Sequence, residues 1–192
     1  QQLGEKYTQD LSRLQQVRNG LLTQEMLESE VKRRTLEIRK REEEIAIKLV
    51  SLTSLRDEET GAHVRRIGLY AAVMAKALGW SSEAIDTIRV AAPMHDIGKI
   101  GIPDRVLRKT GVLNDEEFNV MKKHTEIGAN MLRGTKIPVL AMAVDIALNH
   151  HERWDGTGYP QGLAGEKIPI SARITTIVDI YDALVHERVY KK

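Results

Sequence analysis

Histidines and carboxylates at the spacing of metal ligands recur along the chain from residue 59 onward. The segment 147-ALNHHERWDGTGYPQG-162 places His150 and His151 side by side, directly before an acid and a glycine-rich turn. Glu59 and His63 are four residues apart, and on one face of a helix this spacing lets both side chains reach the same ion. Alone, a pair of this kind is more often an ordinary surface pair than a metal site.

Two further stretches place polar residues where hydrophobic ones are expected. His95 and Asp96 follow an apolar helical segment in AAPMHDIGKIG, and Asp179 interrupts the apolar run ITTIVDIYDAL. A buried carboxylate is very costly without a partner, so Asp96 requires a cation or a donor, and a His–Asp hydrogen bond without metal also satisfies that requirement. His124 has Met121 and Ile127 three residues to either side, and a lone histidine on such a helix face is typical of a core histidine.

Taken together, these residues indicate a cluster of metal ions to which several helices each contribute one or two ligands. Neighbouring side chains on a helix diverge by about 100°, so His150 and His151 are expected to serve two different ions, and an aspartate can bridge such a pair. The chain has no cysteine. Borderline metals that accept nitrogen and oxygen ligands are therefore the candidates, namely iron, manganese, nickel and zinc.

Composition excludes several classes of function. The 192 residues are 42% hydrophobic, which is enough to fill a core, and no run of about 18 apolar residues predicts a membrane span. No secretory signal opens the sequence, so a cytoplasmic location is expected. The formal charge of +2 comes from interspersed acids and bases, which argues against binding of duplex DNA but not against a small anionic ligand.

Residues 1–55 have the composition of a long helix, with no proline and many Glu, Lys, Arg and Gln. One heptad register places Leu14 and Leu21 at position a, and Val17, Val31 and Ile38 at position d. This pattern predicts a coiled-coil linker that forms a parallel homodimer. The alternative is a solvated helix that packs on its own domain.

The remainder of the chain, residues 56–192, reads as an all-α domain without convincing strand alternation. Pro93 is expected to kink its helix just before His95. The other helix ends are predicted from capping residues, which are Gly79, Ser81 or Ser82, Asn114 with Glu117 as a capping box, Pro138 and Ser171.

These residues resemble the HD-GYP domain, a branch of the HD superfamily of helical metal-dependent phosphohydrolases. The resemblance covers about residues 56–192, and its motifs occur in the family's order. They are RDEETGAHVRRIG with Glu59, HDIGK from His95 to Lys99, KKHTEIG with His124, the pair His150 and His151, the tripeptide Gly158, Tyr159 and Pro160, and the final segment from Asp179 to RVYKK. VKRRTLEIRKREEE resembles the linker after a receiver or other sensor domain, so we expect such a domain upstream and closing helices beyond Lys192.

The resemblance implies hydrolysis of cyclic di-GMP to pGpG, and in some members on to GMP, with two or three divalent ions that are most often iron or manganese. It implies catalytic roles for Asp96 and Lys99. Its metal ligands map onto Glu59, which serves in members with three ions, and onto His63, His95, Asp96, His124, His150, His151 and Asp179. Its substrate-binding positions map onto Gly158, Tyr159, Asp182, Arg188 and Lys191. The loop that contains Gly158, Tyr159 and Pro160, here called the GYP loop, is linked in the family to contacts with GGDEF domains.

The physical chemistry of a phosphodiester supports this expectation. Its hydrolysis needs a strong nucleophile at neutral pH and cations against the phosphate oxygens. A hydroxide bridging two metals supplies the nucleophile, with Asp96 as the expected bridge and Lys99 beside the leaving group. Two alternatives stay open: a catalytically weak regulatory module that binds cyclic dinucleotides or GGDEF partners, and the same chemistry on a mixed cyclic dinucleotide.

Overall fold

The computed structural model describes the backbone of residues 2–54 and 61–186, and the side chains of residues 12–51 and 61–186. No β-strand occurs in these ranges, which confirms the predicted all-α fold. The α-helices are α1 (Gln2–Ser54), α2 (Gly61–Ala77), α3 (Ser82–Ala91), α4 (Asp104–Leu107), α5 (Asp115–Lys122), α6 (His124–Leu132), α7 (Pro138–Asn149) and α8 (Ile170–Val185). Short 3-10 helices span Ala92–Met94, Ile97–Gly101 and Gly165–Lys167.

The chain divides into two compact units, Gln1–Glu44 and Ile45–Lys192. The first unit is part of α1, which confirms the long N-terminal helix, and its described apolar seam residues are all more than half exposed. The domain boundary predicted between residues 55 and 56 falls outside the described residues and stays a prediction. No helix in the described ranges combines the length and the apolar character needed to cross a membrane.

The second unit forms around one hydrophobic core. Within it, α2 packs against α3 and α8, α3 packs against α7, and α6 packs against both α7 and the 3-10 helix Ile97–Gly101. The largest buried side chains of this core are aliphatic and come from four helices: Val64 and Ile67 of α2, Ile88 of α3, Ile146 of α7, and Ile174 and Val178 of α8. This packing directs one face of α2, α7 and α8 toward the turn that carries His95 and Asp96.

Most of the predicted helix ends are confirmed. Gly79 follows α2 with a φ of 77°, the Ser81 side chain accepts from the Ala84 backbone, and Asn114 and Glu117 form the reciprocal capping box. The prediction that Ser171 caps α8 was wrong, because this helix begins at Ile170, directly after Pro169.

The kink expected at Pro93 does not occur, because helix α3 ends before this residue. The helix α3 stops at Ala91, and Pro93 lies inside the following 3-10 turn, because its ring cannot continue the α-helical hydrogen bonding. Two short 3-10 helices therefore flank His95 and Asp96. Both residues lie in the turn between these helices.

Candidate metal centre

Seven of the eight predicted metal ligands lie in the described residues, and all seven converge. One group contains Asp96, His124, His150 and His151, and a second contains His63, His95 and Asp179; within each group the ligand atoms lie within 4.8 Å of one another. The groups are joined because His95 Nε2 lies 3.1 Å from Asp96 Oδ2. Glu59, the eighth predicted ligand, lies outside the described residues.

Close packing of Gly98 against Gly128 brings the turn that carries His95 and Asp96 onto α6. A Cβ on Gly98 would lie 1.9 Å from the His124 carbonyl oxygen and 2.4 Å from the Gly128 nitrogen, distances at which no side chain fits. Only glycine permits this approach. The glycine of the HDIGK motif therefore acts by packing, since it lets His124 reach the carboxylate of Asp96.

Backbone carbonyls fix the orientation of three histidine rings. A carbonyl oxygen can only accept, so each Nδ1 atom near one must carry the proton and donate it. In a neutral ring this leaves Nε2 as a lone pair directed into the cluster. The three bonds run from His95 Nδ1 to Ala92 O at 3.0 Å, from His124 Nδ1 to Met121 O at 2.7 Å, and from His150 Nδ1 to Ile146 O and Ala147 O at 3.1 Å each.

The ligand atoms of the first group are all hydrogen-bond acceptors. This property decides whether the group fits a metal ion, because a cation binds several acceptors at once. Asp96 Oδ1 lies 3.2 Å from His124 Nε2 and 3.5 Å from His150 Nε2. Burial lowers the pKa of His150, and it lowers the pKa of His151 to about 2, so both rings are neutral. Burial alone would raise the pKa of Asp96, but the charge of the Lys99 ammonium beside it helps to hold that pKa well below its usual value. An ionised carboxylate among imidazole lone pairs is the donor set that a borderline divalent cation prefers.

The two adjacent histidines contribute ligand atoms to the same group, which corrects the expectation that their side chains diverge. The helix α7 ends at Asn149, and His150 is its C-cap, so the chain turns before His151. Their ring centroids are consequently 4.1 Å apart instead of diverging as they would within a helix.

The second group depends on a carboxylate behind His63. His63 Nδ1 lies 2.7 Å from Asp182 Oδ2, which accepts the Nδ1 proton, and His63 Nε2 lies 3.8 Å from Asp179 Oδ1. Asp182, predicted to bind substrate, is only 3% exposed and also contacts the guanidinium of Arg66. Asp179 is the more open of the two acids, with 24% of its side chain exposed.

The GYP loop lies against the first group through Tyr159. The Tyr159 ring stacks on His151, with centroids 4.8 Å apart and planes inclined by 23°, and burial raises the pKa of the phenol. Gly158 has no space for a side chain, since an added Cβ would lie 2.3 Å from the Arg153 nitrogen. The position predicted to bind substrate is thus packed against the backbone of residues 151–153.

Three further residues of the site carried no distinct signal in the sequence. The buried carboxylate of Glu152 accepts from the backbone nitrogens of Gln161 at 2.7 Å and Leu163 at 2.9 Å, which ties both ends of the GYP loop together. The Lys122 ammonium lies 4.7 Å from the centroid of Phe118 and 5.7 Å from that of Tyr159, at the rim of the site. Glu152 follows the histidine pair directly, and that position was the only available hint.

Two predicted substrate contacts, Arg188 and Lys191, lie outside the described residues. Lys99 is described, and its Nζ donates to Asp96 Oδ2 at 2.9 Å with 19% of the side chain exposed. The ammonium therefore borders the first group from the solvent side.

Comparison with known families agrees with this ligand arrangement. Residues 48–192 match the family described as HD domain, which is most of the chain. The chain belongs to the HD domain family. Within the family, the HDIGK motif and the tripeptide Gly158, Tyr159 and Pro160 identify it as an HD-GYP domain.

Curated relatives of this HD-GYP domain are longer proteins. A cyclic di-GMP phosphodiesterase of Thermotoga maritima is 49% identical over 73% of this chain and 38% of its own length. The cyclic di-GMP phosphodiesterase response regulator RpfG of Xanthomonas campestris is 46% identical over 81% of this chain and 41% of its length. A 3'3'-cGAMP-specific phosphodiesterase 2 of Vibrio cholerae is 43% identical over 81% of this chain and 30% of its length. The chain therefore spans less than half of the length of these relatives.

Proposed function

We propose that this HD-GYP domain is a metal-dependent phosphodiesterase that hydrolyses cyclic di-GMP, with pGpG or GMP as the final product. The observation that carries the proposal is the joining of two His/Asp groups through Asp96, whose carboxylate contacts three imidazole Nε2 atoms. Relatives named as cyclic di-GMP phosphodiesterases support the choice of substrate. The alternative of a catalytically weak regulatory module is not favoured, because every described ligand position retains a ligating residue.

The first group would hold one ion through Asp96, His124, His150 and His151, and the second would hold another through His63, His95 and Asp179. Bound divalent ions supply a nucleophile at neutral pH, by lowering the pKa of water, and they offset charge on the phosphate oxygens. We propose iron or manganese as the native metal, with nickel and zinc as alternatives. A third ion would use Glu59.

The chain's own residues are proposed to orient the substrate and to offset the charge that develops on it. Lys99, held beside Asp96, would donate to the departing 3′ oxygen or to a phosphate oxygen. Tyr159 would exclude water from the His151 side of the site, and the Gly158 backbone would hold Tyr159 there. Arg188 and Lys191 are proposed to bind the second phosphate.

Turnover by the metal-loaded chain tests this function. The chain is loaded without oxygen with ferrous iron or manganese, the metal bound per chain is counted, and products of cyclic di-GMP are separated by chromatography. We expect pGpG or GMP from the loaded protein and almost none from Asp96→Asn. Tight nucleotide binding without product, in a chain that holds two ions, would contradict the proposal and favour the regulatory module.

A mixed cyclic dinucleotide is the second candidate substrate, because a relative at 43% identity is named as specific for 3'3'-cGAMP. The same assay with 3'3'-cGAMP separates the two. The ratio of kcat/KM values for the two substrates measures the preference, and we expect it to favour cyclic di-GMP. A ratio that favours 3'3'-cGAMP would reassign the substrate and leave the metal chemistry in place.

We also propose that residues 1–55 form a parallel homodimer, by which an upstream domain regulates the enzyme. Leu14, Val17, Leu21, Val31 and Ile38 follow one heptad register and are each more than half exposed in the single chain. Ile38→Asp should shift the chain to monomer in analytical ultracentrifugation, whereas Met26→Asp, at another exposed apolar position of α1 outside the seam, should not. A GGDEF-domain partner at the GYP loop and a cytoplasmic location stay predictions.

A further inference from the structure

A buried charge cluster lies behind the metal ligand His63. Its centre is Asp182 of α8, which is 3% exposed. Arg66 reaches both oxygens of this carboxylate, with Nε 2.5 Å from Oδ1 and Nη2 2.9 Å from Oδ2. His63 Nδ1 approaches Oδ2 at 2.7 Å, and His186 Nδ1 lies 3.2 Å from Oδ1. The carboxylate therefore has a partner on each oxygen.

The arrangement follows from the spacing on α2. His63 and Arg66 are three residues apart, so they lie on the same face of that helix and both reach α8. An arginine fork binds a carboxylate in its own plane through two parallel bonds, which a lysine ammonium cannot do. The fork thus fixes the plane of Asp182, and with it the direction from which Oδ2 accepts the His63 proton.

The ring orientation of His63 depends on that direction. Once Nδ1 donates to Asp182, Nε2 is the only lone pair of the ring, and it faces Asp179 Oδ1 at 3.8 Å. The His63 ring also lies edge-on to His95, with centroids 6.1 Å apart. A carboxylate behind a ligating imidazole fixes its tautomer and increases its basicity as a ligand.

We propose that Arg66 is a positioning residue for the His63 metal site and acts through Asp182. This gives Asp182 a role behind a metal ligand instead of the substrate contact expected from the family resemblance. The inference rests on the proposed function only in that the group of His63, His95 and Asp179 holds a metal ion. It does not depend on which cyclic dinucleotide is hydrolysed, or on turnover at all.

The proposal predicts an effect confined to one of the two metal groups. Loss of the fork leaves Asp182 free to rotate, so His63 loses its fixed orientation, while Asp96, His124 and His150 keep their own hydrogen bonds. Mutation of such partners lowers metal affinity by about 10–100-fold. We expect this loss for the group that contains His63, and no change for the group that contains His124.

The experiment compares Arg66→Gln with Arg65→Gln, a neighbouring arginine on the exposed face of α2. Equilibrium dialysis of Mn²⁺ against each full chain, with metal counted per chain, measures both affinities without any substrate. Arg66→Gln should weaken one class of site by about 10–100-fold, and Arg65→Gln should match the wild type. Arg66→Lys keeps the charge without the fork and should show a smaller, equally selective loss.

A second readout reports on the ring itself. In the zinc-loaded protein, the Nδ1–H proton of His63 should give a downfield NMR signal, because it is bonded to a carboxylate. That signal should exchange faster with solvent in Arg66→Lys than in Arg65→Gln. Thermal melting of the metal-free variants shows whether the substitutions cause a general loss of packing. A positioning role predicts a change in one of the two metal affinities and none in the other.

Three results would overturn the inference. They are a wild-type chain that binds one ion only, an Arg66→Gln variant that binds both ions like Arg65→Gln, and equal weakening of both classes in Arg66→Gln and Arg66→Lys. Failure of the proposed function looks different, because the selective affinity loss would then persist in a wild-type chain that hydrolyses no cyclic dinucleotide.

Discussion

The Nε2 atoms of His124 and His150 lie 3.4 Å apart, and in neutral rings neither carries the proton that a hydrogen bond between them would need. Each ring donates its proton from Nδ1 to a backbone carbonyl, at 2.7 Å from His124 and at 3.1 Å from His150. Two lone pairs therefore face each other next to Asp96. A bound divalent cation resolves that repulsion.

Removal of metal should lower the thermal stability of the second unit. A ligand that binds only the folded state stabilises it by about 2.7 kcal/mol when its free concentration is 100 times Kd. We expect a clear rise in Tm when Mn²⁺ or Fe²⁺ is returned to chelator-treated protein in a calorimeter. Ca²⁺ prefers oxygen ligands and serves as the control. An equal shift with Ca²⁺, or the full Mn²⁺ shift in Asp96→Asn, would contradict this assignment.

Gly98→Ala should disrupt the contact between the HDIGK turn and α6. The added methyl group would meet the His124 carbonyl at 1.9 Å, and overpacking of this kind costs about 1–3 kcal/mol. His124 should move away from Asp96, so affinity for Mn²⁺ should fall along with Tm. Gly20→Ala is the matched control, because a Cβ at that helical position meets nothing within 4 Å. Equal melting of Gly98→Ala and wild type would rule out the close contact.

Glu152→Ala should loosen the GYP loop. The change leaves the backbone N–H groups of Gln161 and Leu163 without their acceptor, and a hydrogen bond to a charged group contributes about 1.5–3 kcal/mol. The expected readouts are a lower free energy of unfolding and faster proteolysis between residues 153 and 163. Glu166→Ala removes an exposed acid from the 3-10 helix that follows this stretch, Gly165–Lys167, and should change neither. If both variants behave alike, Glu152 does not anchor the loop.

The capping box of α5 should add stability that depends on pH. The Lys109 ammonium, followed by the Asn114 backbone N–H, holds the pKa of Glu117 below its ordinary value of 4.5. A depressed folded pKa stabilises the fold above the unfolded value, and that contribution is lost as pH falls through the folded pKa. The Tm difference between wild type and Glu117→Gln should therefore be constant above about pH 4.5 and shrink in more acidic buffer. Glu116→Gln, one residue away, should give a smaller difference at all pH values.

Much of the site was predictable because ligand chemistry belongs to residue types. Imidazoles and carboxylates at helical spacing, in adjacent pairs or inside apolar segments, together with the family's motifs, indicated seven candidate ligands that the structure brings together. Helix ends were equally local, since Ser81, Asn114 and Gly79 act within one turn of their own positions. A local prediction was wrong where an alternative start lay within two residues, as at Ser171, since Pro169 is the N-cap of α8.

The sequence by itself determined the all-α class, the long N-terminal helix and a set of candidate metal ligands, because periodicity, capping and ligand type act over a few residues. Only the tertiary structure decided which ligands share a group, which ring nitrogen carries the proton, and why Gly98 must be glycine. The bonds of Asp182 to Arg66 and His63 join residues 116 and 119 positions apart. Contacts at that separation follow from how α2 and α8 pack, and no local pattern in the chain encodes them.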